Sequence, residues 1–193
     1  MSQSNQIKLH LGCGSRNFGD EWVHIDQGDY PHVTSHSVIN LPYPDNSVDI
    51  IYASHLLAYF SREEAITVLR KWFKVLKKGG KLRLATTDFT AITHLYRDHD
   101  VALSEILGPL FGRIKVDGNY YYHKTVYDCL ELFNLLEKIG FKDMYEYEWQ
   151  NTPPHDKIDD QSRAYYPSRP ANYKKNKFDK DQTLISLNIE AIK

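Results

Sequence analysis

The chain has 193 residues, 41% of them hydrophobic, which suits one ordinary α/β domain with a sizeable core and leaves too little for a second. Lys plus Arg number 24 against 25 Asp plus Glu, a net charge of −1, so no global field draws the protein toward nucleic acid or an anionic membrane. Cys13 and Cys129 fall in different predicted elements and make neither a disulfide nor a zinc framework, and no apolar run reaches spanning length, so a reduced, cytoplasmic protein without membrane contact is expected.

After a polar start, Lys8-Leu9-His10-Leu11 reads as an apolar strand running into the turn Gly12-Cys13-Gly14, and Glu21-Trp22-Val23-His24-Ile25-Asp26 as a second short strand that ends on a carboxylate. The glycines adopt conformations barred to other residues and let a ligand approach the backbone, while a carboxylate at a neighbouring strand end accepts hydrogen bonds from ribose hydroxyls. The connection Ser15 to Asp20 is too short for the crossover helix that parallel neighbours usually need, so the first helix is expected to be shortened to a turn or lost.

Gln27 to Pro31 is turn chemistry, with a third strand expected near His32 to Ser37. Val48 to Ala53 is apolar and β-branched, too short for a helix, and reads as a buried central strand delivering Ser54 and His55 at its carboxyl end, where open α/β sheets bind ligands. A helix-capping role for His55 competes with a ligand contact. Ser61-Arg62-Glu63-Glu64 is a capping box, and Ala65, Leu69, Trp72, Phe73 and Leu76 recur at helical spacing behind it. Gly79-Gly80 is expected to stop that helix, with the next strand beginning over Lys81 to Ala85.

Residues 86–124 read as an insertion at a strand's carboxyl end, with short helices over Ala91 to His99 and Val101 to Leu110, well placed to roof a substrate pocket. Asp88 is a candidate base or substrate-orienting group and equally a helix cap. Tyr120-Tyr121-Tyr122-His123 fits no amphipathic element, and His123 is the leading general-base candidate because imidazole titrates near neutrality. A structural histidine at a helix start is the competing role. A helix over Tyr127 to Ile139 follows, then strands Phe141 to Trp149 and Thr183 to Ala191, expected to pair at one sheet edge. Between them, 150–182 reads as a substrate-side flap carrying His155, Asp156, Asp159 and Asp160. These four have no recognisable ligand spacing, so a solvated acidic loop is favoured over a metal site, and no metal is expected.

Leu9-His10-Leu11-Gly12-Cys13-Gly14 with Asp26, followed by Leu41-Pro42-Tyr43-Pro44-Asp45-Asn46-Ser47-Val48-Asp49-Ile50-Ile51, by Leu76-Lys77-Lys78-Gly79-Gly80 and by Lys81 to Ala85, resembles the class I S-adenosylmethionine-dependent methyltransferases, type 11, in a compact form. The resemblance implies a Rossmann-like, doubly wound α/β fold: a mostly parallel sheet with an antiparallel C-terminal strand, in a single domain over 1–193. It implies S-adenosylmethionine as cofactor and S-adenosylhomocysteine as product, held by Leu11, Gly12, Cys13 and Gly14 at the methionine part, Asp26 at the ribose, and Gln27, Ser54 and His55 nearby. Arg16 or Asn17 would face the methionine carboxylate, and Ser37 or Asn40 would meet adenine. Where related enzymes place a Glu-His pair, this chain has Ala58 and Tyr59.

A dinucleotide-binding domain would want glycine where Asn17 stands and a later acidic residue than Asp26. The expected activity is methyl transfer to an oxygen or nitrogen of a small, sugar-like or aromatic acceptor, with His123, Asp88 and Asp160 as catalytic candidates. The alternative is a non-catalytic nucleoside-binding or regulatory module on the same fold. Nucleic-acid or protein acceptors are disfavoured by the balanced charge and the lack of an accessory domain, and the oligomeric state stays open.

Overall fold

The computed structural model describes residues 6–98, 101–154, 165–167 and 182–193. Its strands are β1 (Lys8–Leu11), β2 (Val23–Ile25), β3 (Val33–Ser35), β4 (Val48–Ser54), β5 (Leu76–Thr87), β6 (Ile114–Val116), β7 (Asn119–Tyr121), β8 (Lys142–Glu146), β9 (Tyr165–Pro167), β10 (Gln182–Leu184) and β11 (Ser186–Ile192). The α-helices are α1 (Arg62–Val75), α2 (Phe89–Asp98), α3 (Leu103–Phe111) and α4 (Cys129–Ile139). A seven-stranded sheet has the order β3-β2-β1-β4-β5-β11-β8. Its first five strands run parallel, and β11 runs antiparallel to both β5 and β8. This is the expected Rossmann-like sheet, including the late antiparallel strand and its pairing with the preceding one at the edge.

Alternation along β1 decides what each face holds. Leu9 and Leu11 lie in the main core with Ile51, Leu82 and Leu84, packed by Ala65, Leu69 and Trp72 of α1 and by Leu132 and Leu136 of α4. Burying side chains of this size contributes about 1.5–3 kcal/mol each. The fully buried Trp72 also donates its Nε1–H to the Val38 carbonyl, 2.8 Å away, tying α1 to the loop after β3.

His10 is in turn stacked on Phe18, ring centroids 4.1 Å apart. Phe18, Trp22 and Tyr52 form a separate buried cluster there, and the Phe18 N–H donates to His24 Nε2 at 2.9 Å. A packed aromatic turn thus joins β1 to β2 without a helix, as the short connection required. Because His24 Nε2 accepts, that nitrogen is deprotonated; burial and the neighbouring His32 hold the His24 pKa below its ordinary value.

Several boundaries differ from expectation. The helix behind the capping box ends at Val75 and the chain turns directly into β5, so Gly79 and Gly80 lie within that strand and do not end the helix. The reason is pairing: Leu76 already sits opposite Val48 of β4, and the register shifts before Lys81 meets Ile50. The expected last strand is divided at Ile185, whose side chain is buried with Ile92, Leu95, Val101 and Ile106 of the insertion and whose carbonyl accepts from the Asp88 N–H. The expected strand over Phe141 to Trp149 is ordered as a strand only to Glu146, and α4 begins after its Asp128 cap, which accepts from the Glu131 N–H.

The antiparallel edge carries a buried charge network. Glu190, 2% exposed, accepts from Lys81 Nζ at 2.7 Å, from Arg83 Nε at 2.6 Å and from the Tyr145 hydroxyl. Burial works to raise its pKa, but these hydrogen bonds outweigh burial and hold it below the ordinary glutamate value. A depressed carboxylate adds stability above its unfolded pKa and loses it as pH falls through the folded value. We therefore expect Glu190→Ala, which strands two cations beside a buried strand, to cost about 3 kcal/mol in urea unfolding at pH 7, with the gap to wild type narrowing in acid.

Candidate active site at the carboxyl ends of the parallel strands

Where β1, β2 and β4 end, a cleft of about 990 Å³ opens. It is within the size of small-molecule and cofactor sites. The glycine turn forms its floor. Gly12 and Gly14 have φ of +67° and +55°, in the left-handed region open to glycine, and the Gly12 N–H donates to the Ile25 carbonyl at 2.8 Å. A Cβ added at Gly12 would lie 3.0 to 3.2 Å from three atoms of Leu56, another lining residue.

Asp26 holds this floor to the end of β2. Its Oδ2 accepts from the Gly14 N–H at 2.8 Å and its Oδ1 from the Gly28 N–H at 2.7 Å. One backbone donor on each oxygen leaves acceptor capacity on both, and Asp26 lines the cleft. That pair of acceptors suits a ligand bringing a vicinal diol, as ribose does, beside a turn that admits a close approach.

Cys13 also lines the cleft, but its thiol is pushed up to about 12, mainly by burial and then by the charge of Asp26. It stays protonated and supplies bulk rather than a nucleophile. Gln27, Ser54 and His55 line the cleft too. His55 has φ +49°, uncommon outside glycine, and is held there by its N–H to the Ala85 carbonyl at 2.7 Å and by a 2.9 Å hydrogen bond between Nε2 and Ser186 Oγ.

Leu11 differs: its side chain is wholly buried in the core, and His10, on the opposite face, lines the cleft instead. This is strand alternation, which aims neighbouring residues to opposite sides. Of the two residues weighed for the methionine carboxylate, Arg16 lines the cleft, whereas Asn17 uses its Oδ1 to accept from Gly19 N–H. Of the two weighed for adenine, Ser37 lines the cleft and Asn40 accepts from Lys71 Nζ at 2.7 Å, outside it.

At the other end stands His123. Its Nδ1 is 3.1 Å from the Leu110 carbonyl, which only accepts, so Nδ1 carries the proton and Nε2 of the neutral ring keeps a free lone pair. Burial lowers the His123 pKa, against smaller upward contributions from the Leu110 and Pro109 carbonyls. The ring packs edge-on against Tyr59 with centroids 4.7 Å apart. Tyr59 occupies one of the positions where a Glu-His pair was expected and absent; here the imidazole arrives from the insertion.

Asp88 does not line this cleft. Its Oδ1 accepts from the Thr90 N–H at 2.9 Å at the start of α2, the capping geometry weighed against catalysis. Burial raises its pKa. Asp160, with His155, Asp156 and Asp159, lies outside the described residues. Among the described residues no group of three or more His, Cys, Asp and Glu side chains is placed to hold a metal ion. Among them, too, no helix is long and apolar enough to cross a membrane.

The β6–β7 hairpin was missed from sequence, although Asp117-Gly118 between alternating segments signals such a turn. Both residues have positive φ, +49° and +82°, as a tight hairpin turn demands. Ile114, Lys115 and Tyr121 of the hairpin line the cleft, as do Tyr30 and Glu63 from elsewhere. No local pattern marked the last two, because only the fold brings them to the opening.

Residues 20–84 match the family model of a methyltransferase domain. The glycine turn lies just ahead of that segment and is joined to it by the hydrogen bonds from Gly14 N–H to Asp26 Oδ2 and from Gly12 N–H to the Ile25 carbonyl. No curated protein matches in sequence. Among solved structures, a SAM-dependent methyltransferase from Methanosarcina mazei is similar at 16% identity and TM-score 0.57, over 100% of this chain and 94% of that one. The putative methyltransferase of Haloferax volcanii, solved in complex with the Trm112 methyltransferase activator, gives 14% and 0.53 over 97% and 82%. The 1,6-didemethyltoxoflavin-N1-methyltransferase of Burkholderia thailandensis, with 1,6-didemethyltoxoflavin and S-adenosylhomocysteine bound, gives 13% and 0.52 over 97% and 70%. At these identities the likeness is one of fold.

The matched segment is that of a methyltransferase domain, and the strand order is that of the Rossmann-like fold these structures share.

Proposed function

We propose that the protein transfers a methyl group from S-adenosylmethionine to an oxygen or nitrogen of a small molecule, with His123 as the base. The observation that carries this reading is that one cleft contains both the Asp26-braced glycine turn and an imidazole whose Nε2 is free to accept a proton. Held at Gly12, Cys13, Gly14 and Asp26, the cofactor supplies an electrophilic methyl on a sulfonium, so no covalent help from the protein is required. The protein's part is to align the acceptor, exclude water and take its proton.

In this reading, Asp26 accepts from the ribose hydroxyls, Ser37 and the neighbouring backbone meet the adenine, and Arg16 meets the methionine carboxylate. Tyr59, Phe60 and Tyr122 line the end near His123 and offer ring faces to a planar or sugar-like acceptor. Lys124 Nζ pairs with Glu64 Oε2 at 2.8 Å beside them, so these two charges largely neutralise each other. Such a lining favours an acceptor recognised by stacking and hydrogen bonds. Cytoplasmic residence suits the two free thiols, Cys13 and Cys129.

Methylation of a metabolite panel with labelled S-adenosylmethionine tests the reading. His123→Ala is expected to lower kcat by about 100-fold or more while leaving S-adenosylhomocysteine affinity nearly unchanged. The base works when neutral, so the wild-type rate should fall only in acid, below the ordinary histidine pKa, and the variant should lose that limb. Cofactor binding without transfer to any acceptor would favour the nucleoside-binding module instead.

A further inference from the structure

We propose that the β6–β7 hairpin is a cover over the bound cofactor and that the hydrogen bond from Gln27 Nε2 to Tyr121 Oη, 3.1 Å long, is its latch. The proposal rests on the reading above, in which Asp26, the residue before Gln27, holds the ribose. Gln27 extends from the end of β2, while Tyr121 comes from the other side of the cleft in a hairpin that forms its own two-stranded sheet. Asp26, Gln27 and Tyr121 line one cleft, so a nucleoside held at Asp26 would have this bond as its neighbour, and a bond that spans from β2 to the hairpin would hinder its departure.

The base of the hairpin is fastened. His123 N–H donates to the Phe111 carbonyl and Lys124 N–H to the Ala58 carbonyl, each at 2.7 Å. The chain enters through Gly112 at φ +51°, where a Cβ would lie 2.5 Å from His123 Nε2. A side chain at that point would displace the ring, so the entry to the cover and the position of the imidazole are set by one residue. The tip is built differently. It reverses at Asp117-Gly118 and leaves Ile114 and Tyr120 44% and 49% exposed.

An exposed neutral hydrogen bond is strong enough to slow release and weak enough to break in each catalytic cycle. Cover motions of this kind run on microsecond to millisecond scales and often limit turnover through product release. The same latch therefore acts on the leaving S-adenosylhomocysteine.

The test is a double-mutant cycle on the full chain, reading the dissociation rate of S-adenosylhomocysteine by stopped flow for wild type, Tyr121→Phe, Gln27→Ala and the double variant. Tyr121→Phe should raise the rate by about 3–10-fold in the wild-type background and leave it unchanged in the Gln27→Ala background. S-adenosylhomocysteine should also slow hydrogen exchange over residues 114–121 in wild type and much less in Tyr121→Phe. An unchanged rate, or the same acceleration in both backgrounds, overturns the latch. Failure of wild type to bind S-adenosylhomocysteine at all would instead overturn the methyltransferase reading on which the latch depends.

Discussion

Asp26→Ala should weaken S-adenosylhomocysteine binding by at least about 100-fold. Its carboxylate accepts two backbone N–H bonds, from Gly14 at 2.8 Å and Gly28 at 2.7 Å, and hydrogen bonds to a charged group contribute about 1.5–3 kcal/mol each. Removing it leaves both donors without their partner, releases the glycine turn from the end of β2 and deletes the proposed ribose acceptor. Asp26→Asn keeps one acceptor oxygen but turns an NH₂ toward the second backbone donor, so an intermediate loss is expected. Isothermal titration measures both. Affinity within about threefold of wild type in Asp26→Ala would remove the ribose role.

Gly12→Val should change two readouts at once, stability and cofactor affinity. At φ +67° a β-branched residue is strained, by about 1–2 kcal/mol for leaving the right-handed preference alone, and its Cβ would also press on Leu56 at 3.0 to 3.2 Å. Either the turn shifts or Leu56 is driven into the cleft. A melting temperature lower by about 5 °C and a loss of S-adenosylhomocysteine affinity of at least about tenfold are expected. Gly19→Ala is the control: φ there is +88°, with nothing within 4 Å of an added Cβ, and Gly19 does not line the cleft. It should carry the backbone cost and bind cofactor as wild type does. Equal affinity for Gly12→Val and Gly19→Ala would show that the turn need not approach its ligand closely.

Local signals located the parts that depend on neighbours in sequence. The glycine turn, the capping box at Ser61, where Glu64 N–H donates to Ser61 Oγ and Ser61 N–H to Glu64 Oε2, and the apolar run of β4 were legible because a few adjacent residues decide each. That no full helix fits between β1 and β2 was legible from the length of the Ser15 to Asp20 connection alone. The hairpin tip was legible as well and passed over, since the run of tyrosines beside Asp117-Gly118 drew the reading toward His123. Asp88 was ambiguous in sequence because a carboxylate before a helix serves equally as cap or base; its bond to Thr90 N–H and its place outside the cleft are tertiary facts.

The amino-acid order by itself marked the buried run of β4 and, at Gly12, Gly14 and Asp26, a turn open to close approach beside a carboxylate, whereas the order of the sheet was expected from the resemblance. Tertiary structure decided everything that crosses the cleft. Gln27 and Tyr121 stand 94 positions apart, and the tautomer of His123 depends on the Leu110 carbonyl in the preceding helix. No period or spacing encodes such partners. A residue's own segment fixes its face and its reach, whereas the group it meets, and so its charge, tautomer and chemistry, follows only when long-range packing has brought the segments together.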